Sequence, residues 1–172
     1  MDESSTCHIS SPRQQRRLDA EQQWITYSKQ HHMELSLLRI AGIYGPNKIP
    51  IEAAQLKTPV IDPREAPYTN HIYVIDLVFI AYLLSQIHTK LSVYNVADGI
   101  PMLMGELQQT VAKIIKIAPA PYESYAQAWE RSSSIKREFI QASKRLNIDR
   151  LKNRLGKKIE FTPLFDAIKQ CL

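Results

Sequence analysis

The sequence predicts an α/β domain in which helices pack against a short parallel sheet. Three observations carry that expectation. Helix-like and extended segments alternate along the chain. The run Leu35–Ala41 is dense in leucine and isoleucine with little strict alternation, which suits a strand buried on both faces. A Gly-x-Tyr-Gly-Pro sequence, Gly42 to Pro46, follows at once and reads as the turn that closes it. The 172 residues are 44% hydrophobic, too apolar for a disordered tail, and the length suits one domain over residues 1–172.

Taken in order, residues 2–11 read as a polar loop. Ser11 followed by Pro12 is a helix start, a capping residue and then proline in the first turn. Leu18, Trp24, Ile25 and Tyr27 supply an apolar helical face as far as His31. After the strand and its turn, Ile51 to Leu56 is helix-prone, and Pro59, Pro63 and Pro67 mark an irregular stretch. His71 to Val74 predicts a short strand. Asp76 is expected to cap a long apolar helix, Leu77 to Ile87. Ser92 to Val96 reads as a second buried strand, closed by Asp98-Gly99. Met104 to Ile117 predicts a helix with Leu107, Val111, Ile114 and Ile115 on one face. Glu123 to Ser134 reads as a polar segment, and the basic, amphipathic sequence after it leads to Gly156, a helix C-cap. Ile159 to Phe161 is expected as a strand. Thr162-Pro163 then opens a last helix with Leu164, Phe165, Ile168 and Leu172 inward.

Several function classes are excluded by what the chain lacks. Its five glycines, at 42, 45, 99, 105 and 156, never fall at the spacing of a phosphate-cradling loop. No signal peptide is visible at Met1–Ser5, and no apolar run reaches the ~18 residues of a membrane span, so the protein is expected in the cytoplasm without membrane contact. Cys7 and Cys171, near opposite ends, are expected as unpaired thiols. His8, His31, His32 and His88 lie too far from other ligand types to suggest a metal. Ten of the cations crowd between Arg131 and Lys158, within a net charge of +5. Such a cluster offers one functional alternative, a non-enzymatic module binding an acidic partner. Nucleic acid is not expected, because no aromatic residues interleave with these charges.

A set of motifs in fixed order gives a sharper reading. Asp2-Glu3-Ser4-Ser5, Arg17 to Glu21, Leu38-Arg39 through Gly45-Pro46, Asn70 to Asp76 and Tyr94 to Asp98 resemble successive landmarks of the extended short-chain dehydrogenases/reductases, the NAD-dependent epimerase/dehydratase family. Ser143-Lys144-Arg145-Leu146, Leu155-Gly156 and Phe161 to Ile168 resemble the ending of its small bacterial members. The resemblance implies the late strands of a partial Rossmann-like parallel sheet with the helical, substrate-binding C-terminal portion, and no N-terminal nucleotide-binding half.

What can be inherited is limited. In the family a Tyr-x-x-x-Lys pair does the proton chemistry while the nicotinamide moves hydride. Counting back from Glu21, the lysine position falls on Arg17 and the tyrosine position on Arg13. Arginine can hold a ribose, but guanidinium stays protonated and cannot replace the phenol. Tyr27 with His31 offers no shifted copy, so no catalytic residue is assigned. The resemblance implies cofactor contacts from Arg17, Ile40, Ala41, Gly42 and Ile43, and substrate contacts from Tyr44, Pro46 and His71. NAD or NADP is expected only if another polypeptide supplies the glycine loop, and the chain alone is expected to be inactive. In the parental sheet Leu35–Ala41 lies between two strands, and only one of them follows in this sequence. The expected partner is a separately encoded N-terminal half or a second copy of the chain.

Overall fold

The longest element is the one whose apolar face finds the least to pack against. In a computed structural model that describes residues 1–172, α1 spans Pro12–Gln30, with the Ser11 hydroxyl accepting from the Gln14 N–H. Only Ser28 of α1 is buried. Trp24 and Tyr27, on the expected apolar face, remain 57% and 48% exposed.

Strand β1, Ser36–Ile40, is followed directly by β2, Gly42–Tyr44. The turn expected at Gly42 is therefore a correction: the backbone stays extended and changes partner. The Ala41 N–H still donates to Val96 O at 2.9 Å, whereas the Gly42 N–H donates to Asn70 O at 3.0 Å. The turn begins only at Gly45, with Lys48 N–H bonded to its carbonyl and Asn47 at φ 61°. Gly45 is needed there, since a Cβ would stand 2.5 Å from Val74 Cγ1.

The middle of the chain holds α2 (Ile51–Gln55), β3 (Val60–Ile61), β4 (Tyr68–Thr69) and β5 (His71–Tyr73). Helix α3, Val74–Ser85, starts earlier than expected, so Asp76 lies inside its first turn and is not the cap. Its carboxylate instead accepts from Thr162 N–H at 2.9 Å and Thr162 Oγ1 at 2.7 Å, tying α3 to the C-terminal segment. Next come β6 (Ser92–Val96), β7 (Met102–Leu103) and α4 (Glu106–Ile114). Gly105 turns into α4 at φ 98°, and a Cβ there would meet Val60 Cβ at 2.7 Å.

The last third departs most from expectation. After β8 (Tyr122–Glu123), the polar segment holds a helix, α5 (Tyr125–Glu130), fixed by a reciprocal capping box between Ser124 and Gln127. Helices α6 (Ser134–Gln141) and α7 (Asp149–Leu155) follow, the latter ended by Gly156 at φ 59°. Ile159 to Phe161 forms no strand; Ile159 and Phe161 pack sideways against a core cluster and find no ladder to join. In α8, Leu164–Gln170, Ala167 and Ile168 are buried, while Phe165 and Leu172 stay 41% and 56% exposed.

The strands pair as β1 with β6, β2 with β5 and β3 with β8, all parallel, and β4 with β7 antiparallel. The two larger of three buried clusters meet at β5. Ile72 joins Ile80, Leu84, Tyr94, Val96, Leu151 and Leu155 on one side, and Tyr73 joins Tyr44, Ala54, Val111, Ala112, Ala167 and Ile168 on the other. The two edges of the β1–β6 pair differ. Along β6, Asn95 N–H donates to Glu3 Oε1 at 2.8 Å and Arg150 donates to Val93 O at 3.4 Å, so side chains cover that edge. Along β1 no strand lies on the far side. No helix is long and apolar enough to cross a membrane.

Candidate functional site

Two grooves meet where β1 hands over to β2. The larger, about 770 Å³, runs between the N-terminal segment, α1 and β1. Arg17, Leu18, Glu21 and Trp24 line it from α1, and Leu38, Ile40, Ala41 and Ile43 from the strands. The smaller, about 420 Å³, is lined by Gly42, Thr69, Asn70, His71, Leu103, Leu107 and Phe139. Ala41, Lys144 and Leu146 belong to both.

The walls are held by polar ties. Arg39 grips Glu21 through Nε at 3.0 Å and Nη2 at 2.5 Å, and donates to Glu3 O at 3.0 Å. Hydrogen bonding to Glu21 raises the Arg39 pKa further, and the fork fixes α1 across β1. Across the smaller groove, the Asn70 amide works in both directions. It donates to Lys144 O at 2.8 Å and accepts from Leu146 N–H at 3.0 Å, pinning residues 144–146 over β5.

Arg13 turns away from catalysis altogether. Its guanidinium donates to Glu138 at 2.9 Å and stands over the Phe139 ring at 5.1 Å, joining α1 to α6. Arg13 holds the Glu138 carboxyl below the usual range.

His71 sits at the junction of strand and groove. Gly42 lies against it so closely that a Cβ would come 3.1 Å from His71 Cδ2. Its ring meets Tyr44 edge-on at 6.4 Å, and its Nδ1 is buried without a hydrogen-bond partner. Burial pushes its pKa down, against a smaller opposing pull from Glu106, so the ring is neutral at pH 7. A neutral imidazole offers one donor and one acceptor, not a positive charge. The cation facing both grooves is Lys144.

The structure gathers some of the expected residues and separates others. Arg17, Ile40, Ala41 and Ile43 converge on the larger groove, and Gly42 faces the smaller one. Of the three expected substrate contacts, only His71 lines a groove. Tyr44 is 2% exposed and packs on Tyr73 at 5.6 Å; burial, then the Asp98 and Asp76 carboxylates, push its phenol pKa up. Pro46 is exposed on the turn and lines neither groove. Thr69, Asn70, Phe139 and Lys144 escaped the reading as lining residues. The Ser143-Lys144-Arg145-Leu146 motif was visible, but nothing local says that Asn70 folds it over β5.

No family model and no curated protein sequence matches the chain. Solved structures do. A conserved protein of unknown function from Silicibacter pomeroyi superposes with a TM-score of 0.84 at 24% identity, covering 99% of this chain and 59% of that one. UDP-glucose 4-epimerase from Thermotoga maritima, solved with UDP-glucose, gives 0.74 at 18% identity, covering 99% and 55%. dTDP-glucose 4,6-dehydratase from Bacillus anthracis, solved with NAD, gives 0.69 at 16% identity, covering 98% and 54%. The fold is that of the epimerases and dehydratases. The chain spans between 54% and 59% of the length of these three structures.

A dinucleotide fits this chain only in part. Ile40, Ala41 and Ile43 offer a flat apolar wall, and Arg17 a cation beside it. A pyrophosphate needs a glycine-lined helix N-terminus. The helices of eight residues or more begin after Ser11, Tyr73, Gly105 and Ser133, and at Gly105 the space for close approach is filled by Val60. The pyrophosphate does not fit here.

Proposed function

We propose that this chain is the substrate side of an NAD(P)-dependent enzyme of the epimerase/dehydratase type, within the extended short-chain dehydrogenases/reductases. The observation that carries the reading is the change of partner at Ala41–Gly42. In open α/β sheets, ligands bind beyond the carboxyl ends of strands at the point where neighbouring strands diverge. Here β1 stays with β6, β2 leaves with β5, and both grooves open at that point. The larger groove takes the nicotinamide side of a cofactor, and the smaller takes the substrate against Gly42, Thr69, His71 and Lys144.

The chain does not run the proton transfer by itself. Arg13 is engaged with Glu138, and Tyr44, the phenol next to the strand switch, is buried with its proton held tightly. The cofactor is NAD or NADP, held only when another polypeptide supplies the pyrophosphate site. The alternative of an acidic-partner module draws less support, because much of the basic third is already used. Arg137 donates to Trp129 O and Glu130 O, Arg150 to Val93 O and Arg154 to His88 O, and Arg145 stands over Tyr68.

UDP-glucose, the ligand of the Thermotoga maritima structure, is the probe for this reading. Titrated into the labelled chain and followed by NMR, it is expected to move the amide resonances of Gly42, Thr69, His71 and Lys144. Shifts confined to the α7 surface, or none at all, would contradict the proposal.

A further inference from the structure

The smaller groove is poor in hydrogen-bonding groups for a site open to solvent. Ala41, Leu103, Met104, Leu107, Phe139 and Leu146 supply much of its wall. Several of its polar side chains are spent on the protein itself. Thr69 Oγ1 donates to Met102 O at 3.1 Å, and the Asn70 amide is used twice, on Lys144 O and Leu146 N–H. Tyr68 lies under the Arg145 guanidinium at 4.9 Å. Two nitrogen groups are unspent. The Lys144 ammonium belongs to none of the six ion pairs of the chain, and it is the one charge lining the groove. The His71 ring has Nδ1 buried without a partner, which leaves Nε2 as the nitrogen that can meet a ligand.

This equipment favours one kind of ligand. A hexose set against leucine and phenylalanine side chains loses water from its hydroxyls and gains few partners in return. A diphosphate calls for paired cations or a helix N-terminus. Arg13, which stands over Phe139, is engaged with Glu138, so Lys144 faces the groove alone. An apolar body, in contrast, gains from the same walls. The volume of about 420 Å³ lies toward the small end of ligand pockets. Because no partner fixes the His71 tautomer, Nε2 can donate to a carbonyl oxygen or accept from a hydroxyl.

We propose that the smaller groove holds an apolar carboxylic acid bearing a hydroxyl or carbonyl group, with the carboxylate at Lys144, that oxygen at His71 Nε2, and the apolar body against Leu107 and Phe139. This names the substrate class of the reading above and rests on it. Lys144 and Ala41 also line the larger groove, which sets the polar end of the ligand at the border with the apolar wall of Ile40 and Ile43. The carbon that carries the hydroxyl or carbonyl then lies nearest the nicotinamide side. A sugar nucleotide is a weaker ligand of the same groove, since it brings more charge and more hydroxyls than Lys144 and His71 can meet.

The probe is 3-phenyllactate, titrated into the labelled full chain and followed by amide NMR beside lactate, 3-phenyllactamide and UDP-glucose. Phenyllactate is expected to move the Gly42, His71, Leu107 and Lys144 amides. It should bind on the order of 10-fold tighter than lactate, which lacks the apolar body, and tighter than UDP-glucose. Lys144→Met changes an exposed side chain and should leave the melting of the chain as it is. It should weaken phenyllactate several-fold and leave the uncharged phenyllactamide unchanged. UDP-glucose moving these amides at lower concentration than phenyllactate would overturn the proposal and leave the proposed function standing. Lactate binding as tightly as phenyllactate would also overturn it, as would a Lys144→Met variant that holds phenyllactate undiminished. If none of the four ligands moves these amides, both readings fall together.

Discussion

The continuous stretch from Ser36 to Tyr44 has two ends that live in different surroundings. At the β2 end, Tyr44 is 2% exposed, packed against the tilted ring of Tyr73 and enclosed by α2, α4 and α8. At the β1 end, Ile40 is 39% exposed, one edge has no neighbour, and α1 is tied across it mainly through Glu21 and Arg39. Both ends carry large apolar side chains, Leu37, Leu38 and Ile40 in β1 and Ile43 and Tyr44 in β2. The difference teaches that the β2 end is held by a packed core from three helices, whereas the β1 end is held on one edge by β6 and across its face by a polar tie to α1.

The largest effect should come from the finished end. Ile72→Ala removes a side chain with 0% exposure at the meeting of the two clusters, and should cost about 2–5 kcal/mol in a urea melt. Ile40→Ala, at a 39% exposed position of β1 beside the larger groove, should stay within about 1 kcal/mol. Equal costs at the two positions would erase the contrast.

A smaller effect is expected where α1 is anchored. Arg39→Met breaks the fork to Glu21 and should cost about 1–2 kcal/mol, discounted for the partial exposure of the pair. Hydrogen exchange should then quicken throughout α1 and leave α3 and α4 as they were. Quickening across the whole chain would mean that α1 is integral to the core.

The fold class, α1, β1, α3, β6 and α4 were legible in the sequence because each is written locally, by a cap, a proline or a run of apolar residues. What was not legible depends on distant partners. Gly42 to Tyr44 reads as a turn by composition, yet Asn70 and β5 supply the hydrogen bonds that keep it extended. Asp76 reads as a cap, yet Thr162, far along the chain, takes its carboxylate. Phe161 reads as strand, but its side chain packs against the cluster around Ile72 and its backbone pairs with no strand. In the site, Arg17 from the helix motif and Ile40, Ala41 and Ile43 from the strand motif were expected close together, and they line one groove. Tyr44 could not, since only its neighbours decide whether a phenol after a strand faces a cleft or the core.

The smallest effect is a pH dependence. Burial lowers the His71 pKa, so the unfolded chain, with an ordinary histidine near 6.5, takes up that proton first on acidification. The stabilising contribution of the neutral ring is thus present above about pH 6.5 and lost as pH falls towards the depressed folded value. Asp98, whose carboxyl burial raises, acts with the opposite sign nearer the carboxylate range. Between pH 7 and pH 5 the melting temperature should fall, and His71→Gln should flatten that slope. An unchanged slope in the variant would move the effect elsewhere.

The central claim is that the chain holds the substrate side of the site and not the pyrophosphate side. Its most direct test is the thermal melting of the purified full chain with and without millimolar NAD(H) or NADP(H). A cooperative transition that neither cofactor moves is the predicted result. A melting temperature raised by either dinucleotide would show a pyrophosphate site on this chain and contradict the account.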